Sequence, residues 1–473
     1  MTGLASGATA TDDNVDCLLH YFGELDSITD TICGDAEAIK HTATETVQSQ
    51  TSSTSTDQQL LTAIKKNSSS SKVFPTPSKS HDLQRRHLEG SSAPLDSSLA
   101  LDVGKSAHEH LEKCLVTEVS VLDRDKFDAI PEYEMDQLNI GERLGEGSFS
   151  DVFEVTLNAS TSIVDERSDS FEVCDERQVI YAMKCLRPQL RSDSEQFING
   201  AEDLVHETAL LATLDHPNII SVHGRAGGHL KDAFTLNDGY FILIDRLQKV
   251  TLKDCIGDWW RYPEFYLQGP TERQIDIALS IAEAISYLHS KNIVYRDLKP
   301  ANVGFDSQGN VKIFDFGFAM GLPEENSVDE SNPGGLLFDK CGTPRYMAPE
   351  SGLGVGHRTE ADVYSFGILL WEMCSLERPF AEFNNHRDFE RAVFTQGVRP
   401  SVKKHWPTLL SDMIEKCWSN HPDKRPSMEN VKNSLRELKT SLSGGKSGEQ
   451  RRPRYSRATR HLSNNLGHDY ILG

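Results

Sequence analysis

Residues 292–306 read NIVYRDLKPANVGFD and set Arg296, Asp297, Lys299 and Asn302 between two short apolar runs. These residue types, at this spacing, can carry phosphoryl transfer. An Asp can accept the proton of a nucleophilic hydroxyl, and a Lys two residues on can neutralise a phosphate. An Asn five residues on can ligate magnesium. Asp315, in KIFDFGFA, supplies a second carboxylate. Hard oxygen ligands of this kind suit Mg²⁺, which is usually held by one or two carboxylates together with the substrate's own phosphates.

Two earlier stretches fit the same chemistry. LGEGSFSDV spans Leu144, Gly145, Glu146, Gly147, Ser148, Phe149, Ser150, Asp151 and Val152. Its glycines sit where a strand must turn tightly and bring backbone N–H groups against an anion. Alone, the pattern fits a simple hairpin turn equally well. Lys184 lies in an apolar strand beside Ala182 and Met183 and needs a negative partner. Glu207, on the following helix, is the nearest candidate; an ordinary surface ion pair is the plain alternative.

The elements that must position these groups are legible from Leu138 onward. LNIGERLG alternates as a half-buried strand does. VFEVTL and VIYAMKCL give two further strands, separated by a polar insert at about 158–177, and YFILI gives a buried one. AEDLVHETALLATL has helical spacing, with Leu204, Leu211 and Leu214 on one stripe, and ends at His216-Pro217. Beyond Gln248 the chain turns helical. PTERQIDIALSIAEAISYLHS opens with Thr271 and Gln274 in capping-box spacing, and ADVYSFGILLWEMC is apolar almost all round, as a buried central helix is.

The ends of the chain differ in composition. Residues 1–134 are dominated by Ser, Thr, Asp and Gln and are expected to be largely disordered. An acidic patch, CLLHYFGELDSITDTI from Cys17, reads either as an amphipathic helix for a partner or as a sticky patch in a tail. The stretch 443–473 is a basic flexible tail that could contact an acidic surface. With 473 residues, 37% apolar content and a net charge of -22, the whole chain is not expected to bind nucleic acid. Nine scattered cysteines without a C-x-x-C pair fit reduced thiols, and neither a signal peptide nor a membrane span is apparent. The expected location is intracellular and cytoplasmic, with nuclear entry open.

Taken together, residues 138–441 resemble a eukaryotic protein kinase, with the motifs in that family's order and spacing. The resemblance implies a two-lobed α+β fold. An antiparallel sheet and one main helix would form the N-lobe (138–247), and a mostly helical C-lobe would follow (248–441). It implies ATP and Mg²⁺ as cofactors and protein hydroxyls as substrates. Leu144 to Val152 would cover the phosphates, and Lys184, paired with Glu207, would hold two of them. Ile244 matches the gatekeeper, and Asp245 and Leu247 match the hinge against adenine. Asp297 matches the catalytic base, with Arg296 and Lys299 beside it, and Asn302 and Asp315 match the metal ligands. Phe316 would pack under the helix of Glu207. Glu350 in MAPE matches the close of the activation segment, Arg425 its ion-pair partner, and Asp362 the carboxylate that ties down the catalytic loop.

DVYSFGILLWE and CWSNHPDKRP resemble tyrosine and tyrosine-kinase-like kinases, whereas Lys299 and Thr343 resemble serine/threonine kinases. Together they favour a tyrosine-kinase-like serine/threonine kinase. A pseudokinase and a tyrosine or dual-specificity kinase are the alternatives. Three departures stand out: Ser150 at the third glycine, Tyr295 for the commoner His, and Gly304 where relatives place a large apolar residue. The last implies an adenine floor without a side chain of its own, leaving room for neighbouring groups or water. Asp339 falls where related kinases carry an activating phosphothreonine, and Ser327 and Ser331 are rival switch sites.

Overall fold

The computed structural model describes residues 96–118, 121–147, 149–158, 179–236, 239–261, 269–323 and 335–444. The acidic patch after Cys17, Ser148, most of the polar insert, Ser327, Ser331 and most of the basic tail lie outside those residues.

The described chain opens with a helix that the composition hid. α1 (Ser97–Thr117) starts at an Asp96 cap, whose carboxylate accepts from the Ser98 amide at 3.1 Å. Ala100, Val103, Ala107, Leu111 and Cys114 recur every three or four residues and are buried. The expectation of disorder therefore does not hold for residues 97–117. Small side chains make up much of the buried stripe, so average composition understates how closely it packs. α2 (Arg124–Asp128) follows, and then the short strand β1 (Glu132–Tyr133).

β2 (Leu138–Glu146), β3 (Ser150–Leu157) and β4 (Ile180–Leu186) form an antiparallel run. α3 (Ser194–Ala212) starts at an Asp193 cap, seven residues before the apolar stripe becomes readable. β5 (Val222–Ala226), α4 (Leu230–Leu236) and β6 (Phe241–Asp245) complete the lobe. The sheet order is β1-β5-β6-β4-β3-β2. The four pairings from β5 to β2 are antiparallel, whereas β1 joins parallel to β5, with Glu132 opposite Arg225. α3 packs against the sheet on one side and α1 on the other, and α4 also lies against α1.

The second lobe is helical. It comprises α5 (Leu252–Trp260), α6 (Glu272–Ser290), the short strands β7 (Ile293–Val294), β8 (Val303–Phe305), β9 (Val311–Ile313) and β10 (Met320–Gly321), then α7 (Pro349–Leu353) and α8 (Glu360–Ser375). α9 (His386–Glu390), α10 (Thr408–Cys417) and α11 (Met428–Gly444) close it. The capping box at α6 is present in both directions, and the Gln274 amide also donates to the Met373 carbonyl at 2.6 Å. α8 buries nearly its whole circumference, as its apolar sequence requires. The β8–β9 hairpin and the antiparallel pair β7–β10, whose strands lie far apart in sequence, flank the catalytic-loop sequence. No described helix is long and apolar enough to cross a membrane.

Candidate active site

The 295–302 segment is held from below by a single carboxylate. Asp362, fully buried at the start of α8, accepts from the amides of Tyr295 and Arg296 at 2.8 Å each and pairs with His289 at 2.9 Å. These bonds keep Arg296 at φ 69°, in the left-handed region that a side chain occupies only under constraint. The turn brings Asp297 and Asn302 together. Asn302 Nδ2 donates to Asp297 Oδ2 at 2.9 Å, and Lys299 Nζ reaches the same oxygen at 2.8 Å. The other oxygen, Oδ1, accepts from the Thr343 amide at 2.9 Å and the Thr343 hydroxyl at 2.7 Å. Lys299 also donates to Thr343 Oγ1 at 2.8 Å, closing a triangle of Asp, Lys and Thr.

Across the cleft, Lys184 Nζ lies 2.6 Å from Glu207 and 3.3 Å from Asp315. Burial works against a charged ammonium, but the two carboxylates keep Lys184 protonated well above the usual lysine range. Although about half of the Asp315 side chain is accessible (49%), the protein packed around its carboxylate opposes ionisation, and Lys184, Lys299 and the Gly317 amide overcome it, so its carboxyl titrates below the usual value. Asp315 too has a left-handed backbone, φ 65°. Glu207 accepts in addition from the Phe316 amide at 3.2 Å, which ties α3 to this turn. Phe316 is fully buried and meets Tyr295 edge-on, with ring centroids 5.1 Å apart. The Tyr295 hydroxyl donates to the Phe314 carbonyl at 2.5 Å.

The glycine strand bends over this region. Gly147 N donates to Ser150 O at 2.7 Å, closing the turn, and a Cβ on Gly145 would meet nothing within 4 Å. Glu146 pairs with Arg143 and Arg187, and Phe149 packs against Gly200 on α3. Val152 stands opposite Lys184, and Ala182 opposite Ile244. At the end of β6, the Asp245 carboxylate accepts from His223, the Ser221 amide and Lys312. Burial would raise its pKa, but these bonds hold it at about 2. The Leu247 carbonyl accepts from Arg246 at 3.0 Å, and Leu144 packs at the edge of the core.

The room left at Gly304 is taken by neighbouring groups. A Cβ there would come within 2.9 Å of Leu247 Cδ1 and 3.2 Å of the Phe314 ring. The floor is therefore not bare, because two neighbouring side chains fill the place that Gly304 leaves. Phe314 was not singled out from the sequence, although a large aromatic one residue before Asp315 was available as a signal. Farther out, Arg296 Nη1 meets Asp339 at 3.4 Å; the arginine side chain is 6% exposed and the aspartate 69%. Arg425 forms a bidentate pair with Glu350, at 2.5 and 2.8 Å. Glu118, at the end of α1, reaches the Gly321 amide; no sequence motif marked that contact.

A family model described as the protein kinase domain matches residues 166–435. The chain belongs to the protein kinase family. Dual specificity protein kinase shkA of Dictyostelium discoideum is 32% identical over 238 residues, covering 50% of this chain and 42% of its own length. A probable serine/threonine-protein kinase of the same organism is 28% identical over 232 residues, or 49% of this chain and 13% of its own. A putative mitogen-activated protein kinase kinase kinase 7-like protein of Drosophila melanogaster is 30% identical over 249 residues, or 50% and 56%. This chain thus spans 13% to 56% of the length of these three kinases. The two-lobed fold is the one the family implies.

Proposed function

We propose that the chain transfers the γ-phosphate of ATP to serine and threonine hydroxyls of protein substrates. The observation that carries this reading is the Asp297–Lys299–Thr343 triangle. It holds a threonine hydroxyl 2.7 Å from the Asp297 carboxylate, within the range a general base needs. A substrate hydroxyl brought to this carboxylate would be oriented by it and would give up its proton as the new P–O bond forms. Lys299 would offset charge on the transferred phosphoryl group, and ADP would leave.

On the same reading, Lys184 holds the α- and β-phosphates, and Glu207 fixes the direction of its ammonium. The open backbone over Gly145 fits the close approach of a phosphate. Asp315 and Asn302 offer the hard oxygen donors that suit Mg²⁺; the bond from Asn302 Nδ2 to Asp297 leaves its carbonyl oxygen as the donor atom. When bound, magnesium supplies charge neutralisation between the phosphates. Ile244, Ala182, Leu247 and Phe314 border the space for adenine.

A second reading is supported by the dual-specificity names among the relatives, namely that tyrosine hydroxyls are also accepted. One experiment separates the readings: incubation with labelled ATP and Mg²⁺ over a degenerate peptide library, followed by phosphoamino-acid analysis. Phosphoserine and phosphothreonine are expected. Phosphotyrosine alongside them would favour the second reading, and no label at all would overturn both.

A further inference from the structure

One buried polar contact comes from outside the kinase-matched residues. Glu118 ends α1 and is buried, although a carboxylate in that position needs donors. It has two. One oxygen, Oε1, lies 3.1 Å from His206 Nε2, and the other accepts from the Gly321 amide at 2.8 Å. His206 directly precedes Glu207, the partner of Lys184. Gly321 ends the short strand β10, whose partner β7 runs straight into Tyr295 and the catalytic loop. A single side chain from the N-terminal helix therefore holds both the helix that presents Glu207 and the strand that follows Asp315.

The surroundings are shaped for this contact. A Cβ on Gly321 would come within 2.8 Å of Val121 Cγ2 and 3.0 Å of Glu118 Oε2, so a glycine lets the carboxylate approach. α1 is anchored independently of Glu118, by its buried stripe and by the 2.6 Å bond from the Ser106 hydroxyl to Glu202 on α3. Cys114, Glu118 and His206 have ligand atoms within 4.8 Å of one another, and Cys114 Sγ is 3.3 Å from His110 Nε2. The hydrogen bonds at Glu118, His206 and Cys114 account for that cluster without an added ion.

We infer that Glu118 is a positioning residue for phosphoryl transfer: it locks α3 to the start of the activation segment, and so holds Lys184, Glu207 and Asp315 in register. The inference rests on the proposed kinase reading only in its activity readout. Loss of the carboxylate would leave a buried amide and a buried imidazole without their acceptor, and α3 could then move relative to β10. A merely structural role, as the end of a docked helix, would lower stability and leave the alignment of the cleft alone.

The test uses the full chain with Glu118→Ala, Glu118→Gln and Ser106→Ala, the last removing a bond between the same two helices away from Gly321. Amide hydrogen exchange is followed across residues 315–322, and kcat is measured separately from the KM for ATP and peptide. For Glu118→Ala we expect about tenfold faster exchange at Gly321 and about a tenfold lower kcat, in the usual range of coupling between sites. Peptide KM should hold. Glu118→Gln keeps an oxygen for the Gly321 amide and should recover part of both losses, while Ser106→Ala should show neither. A Glu118→Ala protein that melts earlier, yet keeps wild-type kcat and wild-type exchange at Gly321, would overturn the inference. If that variant does not fold, Glu118→Gln decides: values between wild type and inactive support the inference, and wild-type values remove it. If the unmodified chain transfers no phosphate, the exchange comparison decides alone.

Discussion

The floor and the roof of the cleft are secured in different ways. On the floor, Asp362 and the Glu350–Arg425 pair are buried and satisfied within the helical lobe, each by several short bonds. On the roof, Lys184 draws on Glu207 from its own lobe and on Asp315 from the other, and the Asp315 side chain is 49% exposed. The helix that carries Glu207 is itself backed by α1, from outside the region that defines the family. The floor is a self-contained platform, whereas the roof takes its alignment from neighbours. Disturbing the first should therefore cost stability, and disturbing the second should cost activity.

The largest effect should come from the base of the platform. Arg425→Ala strands a buried glutamate, and loss of one partner from such a pair costs about 3–5 kcal/mol. Urea unfolding should show this directly; a loss under about 1 kcal/mol would mean that water reaches Glu350 and that the platform is not closed. Next is Asp297→Asn, where stability and ATP binding should persist but kcat should fall by about a hundredfold, or roughly 2.7 kcal/mol of barrier. Peptide phosphorylation at near wild-type rate would remove Asp297 from its proposed role.

Gly304→Leu should act in the opposite sense to the one its sequence suggests. Instead of adding contact beneath adenine, the new side chain must displace Leu247 and Phe314, as overpacked sites do, at a cost of about 1–3 kcal/mol. ATP should bind more weakly by equilibrium titration. An unchanged dissociation constant would show that those two side chains yield freely. The smallest effect should be at Asp339→Asn. Its partner Arg296 is buried but the aspartate is exposed, and such pairs contribute at most about 1 kcal/mol. Phosphatase-treated protein should keep basal activity and lose a few-fold of it on this change. Activity that vanishes with phosphatase, and ignores the substitution, would exclude Asp339 as a built-in substitute for phosphate.

The platform was legible in the sequence because its residues are close together or lie in strongly patterned elements. Asp297, Lys299 and Asn302 share one turn, and Asp362 opens a helix whose apolar run is unmistakable. The Thr271–Gln274 capping box could be read from spacing alone. Features that depend on distant segments were harder to read. The space at Gly304 is decided by Leu247 and Phe314, and no local pattern states which neighbour turns inward. α1 was hidden by the polar stretch before it and by the small residues on its buried face, although Ala100, Val103, Ala107, Leu111 and Cys114 do form a helical stripe. The contact from Glu118 to Gly321 spans 203 positions of chain, and only the assembled fold brings the two together.

Gly104 gives α1 one further property. At that position the helix lies so near α4 that a methyl group would run into the Lys231 carbonyl oxygen, so the glycine works as a notch. A notched helix docks in one axial phase. At 1.5 Å per residue, Glu118 stands about 21 Å along the rod from the notch, and each residue between them contributes about 100° of rotation. α1 is thus a measuring rod between a fixed seat and the cleft. One residue inserted beside the partly exposed His108 would leave the sequence motifs of the cleft unchanged and turn the carboxylate away from Gly321.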